Sequence, residues 1–311
     1  MTDRQRSIRF GIFVILAALG LRVRADRTVP LARPNTAALA VCTQTGRNVR
    51  SLPSLVGFSP EYPPEAAIPA FSSDLRFGVE ELPEVTNTAG LEADLGALLT
   101  APLEWDLREA AVLILSTHAT ESYTKSGESY EESAGWRTLD ENYNMLSIGD
   151  RVEQLLTAAG ITVLRDRELH DFPSYNGSYA HARESLSGIL EEHPQIRLVL
   201  DLHRDAADGP DGKQYRPLTE EGTARLMVVL GSSFDHWQEG LGLALKLCAQ
   251  LERQHPGITR PIQLRRATFN QDLVPGSLLI EVGAAGNTRA EALRAAEELA
   301  GAIIALAGGT A

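Results

Sequence analysis

The chain has 311 residues, 43% of them apolar, and its 41 acidic against 29 basic side chains give a formal net charge of −12. The apolar content excludes a wholly disordered chain, and the length favours one large α/β domain with additions, or two domains. The acidic balance argues against a nucleic-acid-binding protein, because neutralising phosphates requires a basic face.

The two cysteines carry no predicted chemistry. Cys42 and Cys248 are too few for a disulfide framework, and the sequence has no CxxC pair that would indicate a zinc site. Cys248 lies in an apolar stretch with helical spacing, which predicts a buried structural thiol rather than a nucleophile.

The N-terminus has the layout of a secretory signal. Arg4, Arg6 and Arg9 precede an apolar run over residues 10–21, which is shorter than the roughly 20 residues that a membrane span needs. The basic region, the short apolar region and the small residue at position 25 predict a signal peptide over residues 1–25. A short uncleaved membrane anchor is the alternative. Either interpretation places the rest of the chain outside the cytoplasmic membrane.

Residues 26–105 are interrupted by prolines and show no long periodic stretch. We expect a stalk or a poorly ordered region there, with a short helix near residues 91–99. The catalytic domain is predicted to occupy residues 106–311.

Strand and helix patterns alternate from residue 110 onwards. Helices are predicted over residues 145–160, 179–192 and 235–254, and from Thr288 to about residue 306, where Thr288-x-x-Glu291 spells a capping box. Strands are predicted over residues 112–117, 161–164, 196–202, 226–231, 263–268 and 277–282. This order predicts an α/β fold with a largely parallel sheet and helices on both faces.

Candidate metal ligands follow the predicted strands. His118 and Glu121 come after the first strand, His203 ends the third, and Glu281 lies in the last. The carboxyl ends of parallel strands share one edge of a sheet, where sites gather. Two imidazoles and a carboxylate form a catalytic zinc site with a position left for water. His118, Glu121 and His203 are therefore the predicted ligands, and Glu281 is the predicted proton shuttle.

Structural explanations compete with this interpretation. A single histidine at a strand end is more often a hydrogen-bonded structural residue. Glu281 differs, because a carboxylate inside an apolar strand is costly unless it is paired or functional; Arg204 is its candidate structural partner. His170 and His236 are weaker candidates that could line the cleft.

Six segments resemble the sporulation stage II protein P family of peptidoglycan amidases. They are THATESY (117–123), ENYNMLSIGD (141–150), HDFPSYNGSY (170–179), LDLHRDA (200–206), NQDLVPGSLLIEVG (270–283) and NT (287–288). The resemblance covers roughly residues 110–306 in a single order.

The resemblance implies a domain similar to that of zinc-dependent N-acetylmuramoyl-L-alanine amidases. It implies Zn²⁺ held by His118 and His203, proton transfer by Glu281, and hydrolysis of the amide between the muramoyl lactyl group and L-alanine. Arg204 and Asn270, in two of the quoted segments, are predicted substrate-binding residues. The implied partners are peptidoglycan stem peptide and glycan, a lytic transglycosylase and membrane proteins. Cleavage of the stem-peptide cross-link is a second activity of some family members.

The third zinc ligand and the activity stay open at this point. Glu121 is the first choice of ligand, but in the wider amidase class the third ligand lies further from the first histidine, which points to Asp140 or Glu141. The same ligands would serve a zinc carboxypeptidase or endopeptidase acting on stem peptides. A wall-binding scaffold without activity is the non-enzymatic alternative.

Overall fold

The described part of the chain alternates strands with helices. The computed structural model describes residues 75–103, 111–133, 135–209 and 213–308. Their elements are β1 (Val85–Asn87), α1 (Leu95–Thr100), β2 (Ala111–Leu115), α2 (Met145–Ala158), β3 (Thr162–Arg165), α3 (Ser178–Glu192), β4 (Ile196–Asp205), β5 (Leu226–Gly231), α4 (Trp237–Gln254), β6 (Ile262–Arg265), β7 (Ser277–Ala284) and α5 (Arg289–Leu306).

The strands form one sheet made of two parallel blocks. The strand order is β1-β6-β5-β7-β4-β2-β3. Within the described residues, β1, β6 and β5 are parallel to each other, as are β7, β4, β2 and β3. The blocks meet where β5 pairs with β7 in antiparallel orientation. The prediction of a largely parallel sheet is confirmed, although the reversal between the blocks was not predicted.

Helices cover both faces of the sheet, as predicted, but unequally. Because alternate residues of a strand point to opposite faces, Val112 and Ile114 of β2 enter the large core that α1, α2, α4 and α5 cover. Leu113 of the same strand enters a smaller core on the other face, where Ala182 and Leu186 of α3 pack.

The predicted helix boundaries agree with the observed caps. Thr288 accepts a hydrogen bond from the Glu291 backbone N–H, and the Glu291 carboxylate accepts one from the Thr288 N–H, so the predicted capping box is present. Gly160 follows α2 with φ +81°, a left-handed conformation that ends helices. The N-cap of α2 is Asn144, whose side chain accepts from the Leu146 N–H at 3.0 Å.

The predicted start of the domain near residue 105 is too late. β1 pairs with β6 through Val85 and Ile262, Leu99 of α1 is fully buried, and the Lys246 ammonium of α4 donates to the Leu98 carbonyl. Residues 75–103 therefore belong to the domain. The short helix expected near residues 91–99 is present as α1.

The predicted signal peptide, over residues 1–25, and residues 26–74 of the predicted stalk lie outside the described residues. Within the described ranges, no helix combines the length and apolar character needed to cross a bilayer.

We expect a fragment of residues 106–311 to be less stable than one of residues 75–311. The shorter fragment loses β1 and the burial of Leu99, and one buried leucine alone contributes about 2 kcal/mol. We therefore expect its free energy of unfolding to fall by at least about 2 kcal/mol. Urea unfolding of both fragments is the measurement, and equal midpoints would contradict the assignment of residues 75–103 to the domain.

Cys248 has the environment that its sequence context predicted. It is buried in α4, and burial raises the pKa of its thiol to about 12. The thiolate, which is the reactive form, is therefore scarce at neutral pH. Cys42 lies outside the described residues.

Candidate functional site

The candidate site lies at the carboxyl edge of β2, β4 and β7. His203 of β4 pairs in register with Glu281 of β7, so the two side chains share a face of the sheet. His118 follows the end of β2, and its ring centroid lies 5.2 Å from that of His203, with the ring planes nearly perpendicular. The structure thus brings both predicted histidines together and places Glu281 beside one of them.

The two histidines have opposite electrostatic environments. Burial, assisted by the positive charge of His203, lowers the pKa of His118 to about 4. Burial also disfavours the charged form of His203, but the carboxylates of Asp201, Glu121 and Glu281 outweigh it and raise the pKa of His203 to about 9. His118 is therefore neutral at pH 7, which is the form of imidazole that binds a metal.

Glu281 is half-buried, and its carboxyl group lies in an environment that favours its protonated form. Burial raises the pKa of its carboxyl group to about 8, although the nearby His203 acts in the opposite direction. Its Oε2 atom has no hydrogen-bond partner among the described residues. A carboxyl group with a pKa near neutrality can both accept and release a proton at physiological pH.

Asp201 is a buried partner of His203 that the sequence analysis missed. Its two oxygens accept from the Thr117 backbone N–H at 2.8 Å and the Thr117 hydroxyl at 2.7 Å. Its Oδ1 lies 2.9 Å from Nε2 of His203. The signal was available, since residues two apart on a strand share a face.

Glu121 is already neutralised by two arginines. Its Oε1 lies 3.2 Å from Arg137 Nη2 and 3.5 Å from Arg204 Nη1. Its Oε2 accepts from the Arg204 backbone N–H at 3.2 Å and lies 3.8 Å from His203 Nδ1. Glu121 therefore lies beside His203, but its carboxylate is committed to balancing positive charge.

The other candidate third ligands have local partners. Glu141 is exposed, and its carboxylate lies 2.8 Å from Arg167 Nη2. Asp140 accepts from the backbone N–H of Asn142 at 3.0 Å. Neither contact involves the two histidines.

The site contains donor atoms of the kind that zinc requires. His118 Nδ1 and Glu281 Oε2 are buried, and neither has a hydrogen-bond partner in the described part of the chain. His203 Nε2 faces Asp201 Oδ1 at 2.9 Å, which leaves Nδ1 of His203 as its nitrogen available to a metal. Unsatisfied buried nitrogen and oxygen atoms are costly unless a ligand or a metal engages them. Within residues 75–103, 111–133, 135–209 and 213–308, however, no three His, Cys, Asp or Glu side chains form a preassembled metal-binding group. The donor atoms are thus of the types that zinc binds, and the two imidazoles are the donors that lie next to each other.

Arg204, a predicted substrate-binding residue, contacts the loop that leads to Arg137. It is buried, and its guanidinium donates to the backbone carbonyls of Ser122, Gly135 and Trp136 at 2.8 to 3.0 Å. Its ion pair is with Glu121 rather than with Glu281. Arg204 therefore holds the loop before Arg137 against the sheet edge, and its contact with substrate stays a prediction.

Asn270, the other predicted substrate-binding residue, contacts the beginning of α3. It has φ +58°, and its Nδ2 donates to the Tyr179 carbonyl at 2.8 Å while its Oδ1 accepts from Arg183 Nη1 at 3.4 Å. Asparagine is one of the few residues besides glycine that tolerates this backbone conformation. These contacts position Tyr179 next to the histidines.

Two tyrosines cover the histidine pair. The Tyr175 ring stacks on His118 at a centroid distance of 4.5 Å, and its centroid also lies 4.7 Å from the Arg137 guanidinium. The Tyr179 ring meets the edge of His118 at 5.5 Å and lies parallel to His203 at 6.4 Å. The sequence analysis assigned no role to either tyrosine or to Arg137.

The weaker histidine candidates have structural partners. His170 is buried with its Nε2 3.0 Å from Asp166, and this carboxylate outweighs the effect of burial and raises the pKa of His170. His236 precedes α4, and its Nε2 lies 3.4 Å from the Gln271 carbonyl.

Comparisons with known proteins identify one family. The sequence model of the family described as Stage II sporulation protein P (SpoIIP) matches residues 73–304. Stage II sporulation protein P of Bacillus subtilis (strain 168) is 27% identical over 208 residues, which cover 61% of this chain and 49% of that protein. The chain therefore spans about half the length of this curated relative.

Two solved structures are similar to part of this chain. The N-acetylmuramoyl-L-alanine amidase AmiC2 of Nostoc punctiforme is 18% identical with a TM-score of 0.38, and an N-acetylmuramoyl-L-alanine amidase from Clostridium difficile 630 is 13% identical with a TM-score of 0.37. Each match covers 63% of this chain and 96% of the solved chain. These TM-scores are too low to assign a shared activity.

Proposed function

The chain belongs to the stage II sporulation protein P family, and on this premise we propose that it is a peptidoglycan hydrolase acting outside the cytoplasmic membrane. Its reaction is that of a zinc-dependent N-acetylmuramoyl-L-alanine amidase, which hydrolyses the amide between the lactyl group and L-alanine. The observation that carries the proposal is the meeting of His118, His203 and Glu281 at one sheet edge, where His118 and Glu281 each have a buried polar atom without a hydrogen-bond partner among the described residues.

His118 and His203 are the residues that would hold the metal. Zinc, when bound, increases the acidity of water and polarises a carbonyl group. Glu121 remains our proposed third ligand because its Oε2 lies 3.8 Å from His203 Nδ1. Binding through Glu121 requires its carboxylate to exchange a contact with Arg137 or Arg204, since both pair with it.

Glu281 moves the proton. Its carboxylate accepts a proton from the attacking water and donates it to the nitrogen of the departing L-alanine, which is a poor leaving group without that proton. Its raised pKa suits both steps. Gly283 follows two residues later with φ +72°, and a Cβ there would lie 2.7 Å from the Asn287 side-chain oxygen. Glycine thus permits the tight turn that ends β7.

Product analysis tests the amidase proposal against its two alternatives. We expect purified sacculi to release whole stem peptides that carry a new L-alanine amino terminus. A carboxypeptidase or endopeptidase would leave L-alanine attached to muramic acid. A scaffold would bind the wall, equally with or without zinc, and release nothing. Amidase products would leave denuded glycan, the substrate of the lytic transglycosylase that we propose as a partner.

We expect Asp201→Asn to weaken zinc binding by about 10- to 100-fold, the usual effect of losing a carboxylate behind a ligating histidine. Its negative charge lies 2.9 Å from His203 Nε2, and Thr117 fixes both of its oxygens. Competition with a chelator of known affinity measures the effect. Thr117→Val, which removes one donor but leaves the charge, should have a smaller effect; an equal or larger effect would mean that packing rather than charge matters.

A further inference from the structure

A cavity of about 620 Å³ opens beside the histidine site. Its wall includes Thr120, which lies two residues after His118, and Arg137. The Arg137 guanidinium lies 4.7 Å from the Tyr175 ring centroid, and that ring stacks on His118. A single aromatic ring therefore separates the wall of the cavity from His118, so a substrate held at the site can extend into the cavity.

Apolar side chains are exposed around this cavity. Leu139 and Phe172 line it and are 50% and 51% exposed, and Tyr175 beside it is 54% exposed. These are three of the five large apolar side chains that are exposed in the described part of the chain. Their concentration around one concave surface next to a candidate site indicates a ligand-binding groove.

The charge of the cavity is negative. Arg137 contributes little net positive charge, because it pairs with Glu121 at 3.2 Å and with Asp171 at 2.6 Å. The lining also contains three acidic residues, Glu131, Glu132 and Asp140. Glu132 pairs with Lys125, whereas Glu131 and Asp140 make no ion pair with any residue that the structure describes. The cavity therefore favours a cationic ligand and disfavours an anionic one.

We propose that this acidic cavity binds the ammonium-bearing side chain of the substrate peptide, two residues beyond the amide that is cleaved. The inference rests on the proposed function and names its substrate class: stem peptides with a free diamino-acid side chain. L-alanine and the γ-linked D-glutamate together span more than the roughly 7 Å of two extended α-linked residues. This length lets the third residue pass the Tyr175 ring, whose centroid lies 4.5 Å from that of His118 and 4.7 Å from the Arg137 guanidinium. Leu139 and Phe172 contact the aliphatic part of the side chain, and Glu131 and Asp140 attract its ammonium group.

The test compares two soluble substrates that differ in one charge. They are N-acetylmuramoyl-L-alanyl-γ-D-glutamyl-L-lysine and the same compound acetylated on the lysine side chain. We expect the parent protein to show a kcat/KM about fivefold higher for the free amine, the scale of a partly exposed ion pair. The double variant Glu131→Gln/Glu132→Gln, which removes two acidic groups of the cavity lining and none of the candidate zinc ligands, should lose this preference through a higher KM for the amine, with unchanged kinetics on the acetylated compound.

The matched control is Glu191→Gln/Glu192→Gln, which removes two charges from the exposed end of α3 and should keep the preference. The proposal is overturned if the parent does not discriminate, or if the double variant slows both substrates alike. Cleavage of neither substrate would refute the amidase activity instead. In that case, calorimetry of the two free tripeptides still tests the cavity proposal. Tighter binding of the tripeptide with the free amine, lost in the double variant, supports ammonium binding by the cavity. Equal binding of the two tripeptides refutes it.

Discussion

Glu281→Gln should bind zinc as the parent protein does and hydrolyse peptidoglycan at least about 10²-fold more slowly, the usual loss when general acid–base help is removed. Glutamine keeps the shape of the side chain but cannot carry the proton from water to the leaving nitrogen. Glu281 lies beside His203 but is not among the residues that we assign as metal ligands. The substitution therefore separates catalysis from metal binding.

Zinc content and turnover must be measured on the same preparation of Glu281→Gln. Glu191→Gln, an exposed substitution of the same type on α3, is the control for effects of the mutation in general. Turnover near that of the parent would remove Glu281 from the mechanism. Loss of zinc would make it a ligand instead of a proton carrier.

The metal-free protein offers a second measurement on Glu281. Burial raises its pKa from 4.5 to about 8, so at intermediate pH the native state holds a proton that the unfolded chain has released. The free energy of unfolding therefore falls as the pH rises from about 4.5 towards 8. Glu281→Gln removes this dependence, and we expect the metal-free variant to gain stability relative to the parent between pH 5 and pH 8. A difference independent of pH in urea unfolding would contradict the raised pKa.

His118→Ala and His203→Ala should each reduce zinc to well below one ion per chain and abolish hydrolysis. A site with three protein ligands loses most of its affinity with one imidazole. Metal analysis after dialysis measures the loss, and His193→Ala, which follows the far end of α3, is the control that should retain zinc. Stoichiometric zinc in either active-site variant would refute the assignment of that histidine.

The same measurement identifies the third ligand. Loss of zinc from Glu121→Ala would support our choice, even though two arginines now hold that carboxylate. Zinc retained in Glu121→Ala but lost in Asp140→Ala or Glu141→Ala would replace it. Thermal unfolding must be measured alongside zinc content, because removing the Glu121 carboxylate takes away the ion-pair partner of the buried Arg204. The unpaired charge would destabilise the protein.

The sequence predicted the elements that have a strong local signal. β5 is a run of six apolar or small residues, and its predicted bounds of 226–231 are the observed ones. β1 has only three residues, two of them exposed, so its sequence contains no apolar run from which a strand could be predicted. The antiparallel contact between β5 and β7 could not be predicted, because the two-residue period of a strand is the same in both directions.

The residues of the candidate site also differ in how far the sequence could predict them. His118, His203 and Glu281 were found because the carboxyl ends of neighbouring parallel strands must share an edge. Arg137 and Tyr175 come from loops, whose paths depend on tertiary contacts such as the ion pair between Arg137 and Asp171. The spacing of residues in the sequence does not predict such tertiary contacts. The contacts of Arg204 with the loop before Arg137 could not be predicted either, because adjacency to His203 in sequence does not show which way its side chain points.

The short edge strands of the sheet have a consequence for solubility. β1 has three residues and β3 has four, so neither edge offers a long row of unpaired backbone groups to a second chain. Removing the residues before 106 would uncover β6, whose Ile262 and Leu264 are buried in the intact domain. We therefore expect residues 106–311 to aggregate at protein concentrations at which residues 75–311 remain monomeric, so that β1 acts as a cover against edge-to-edge association.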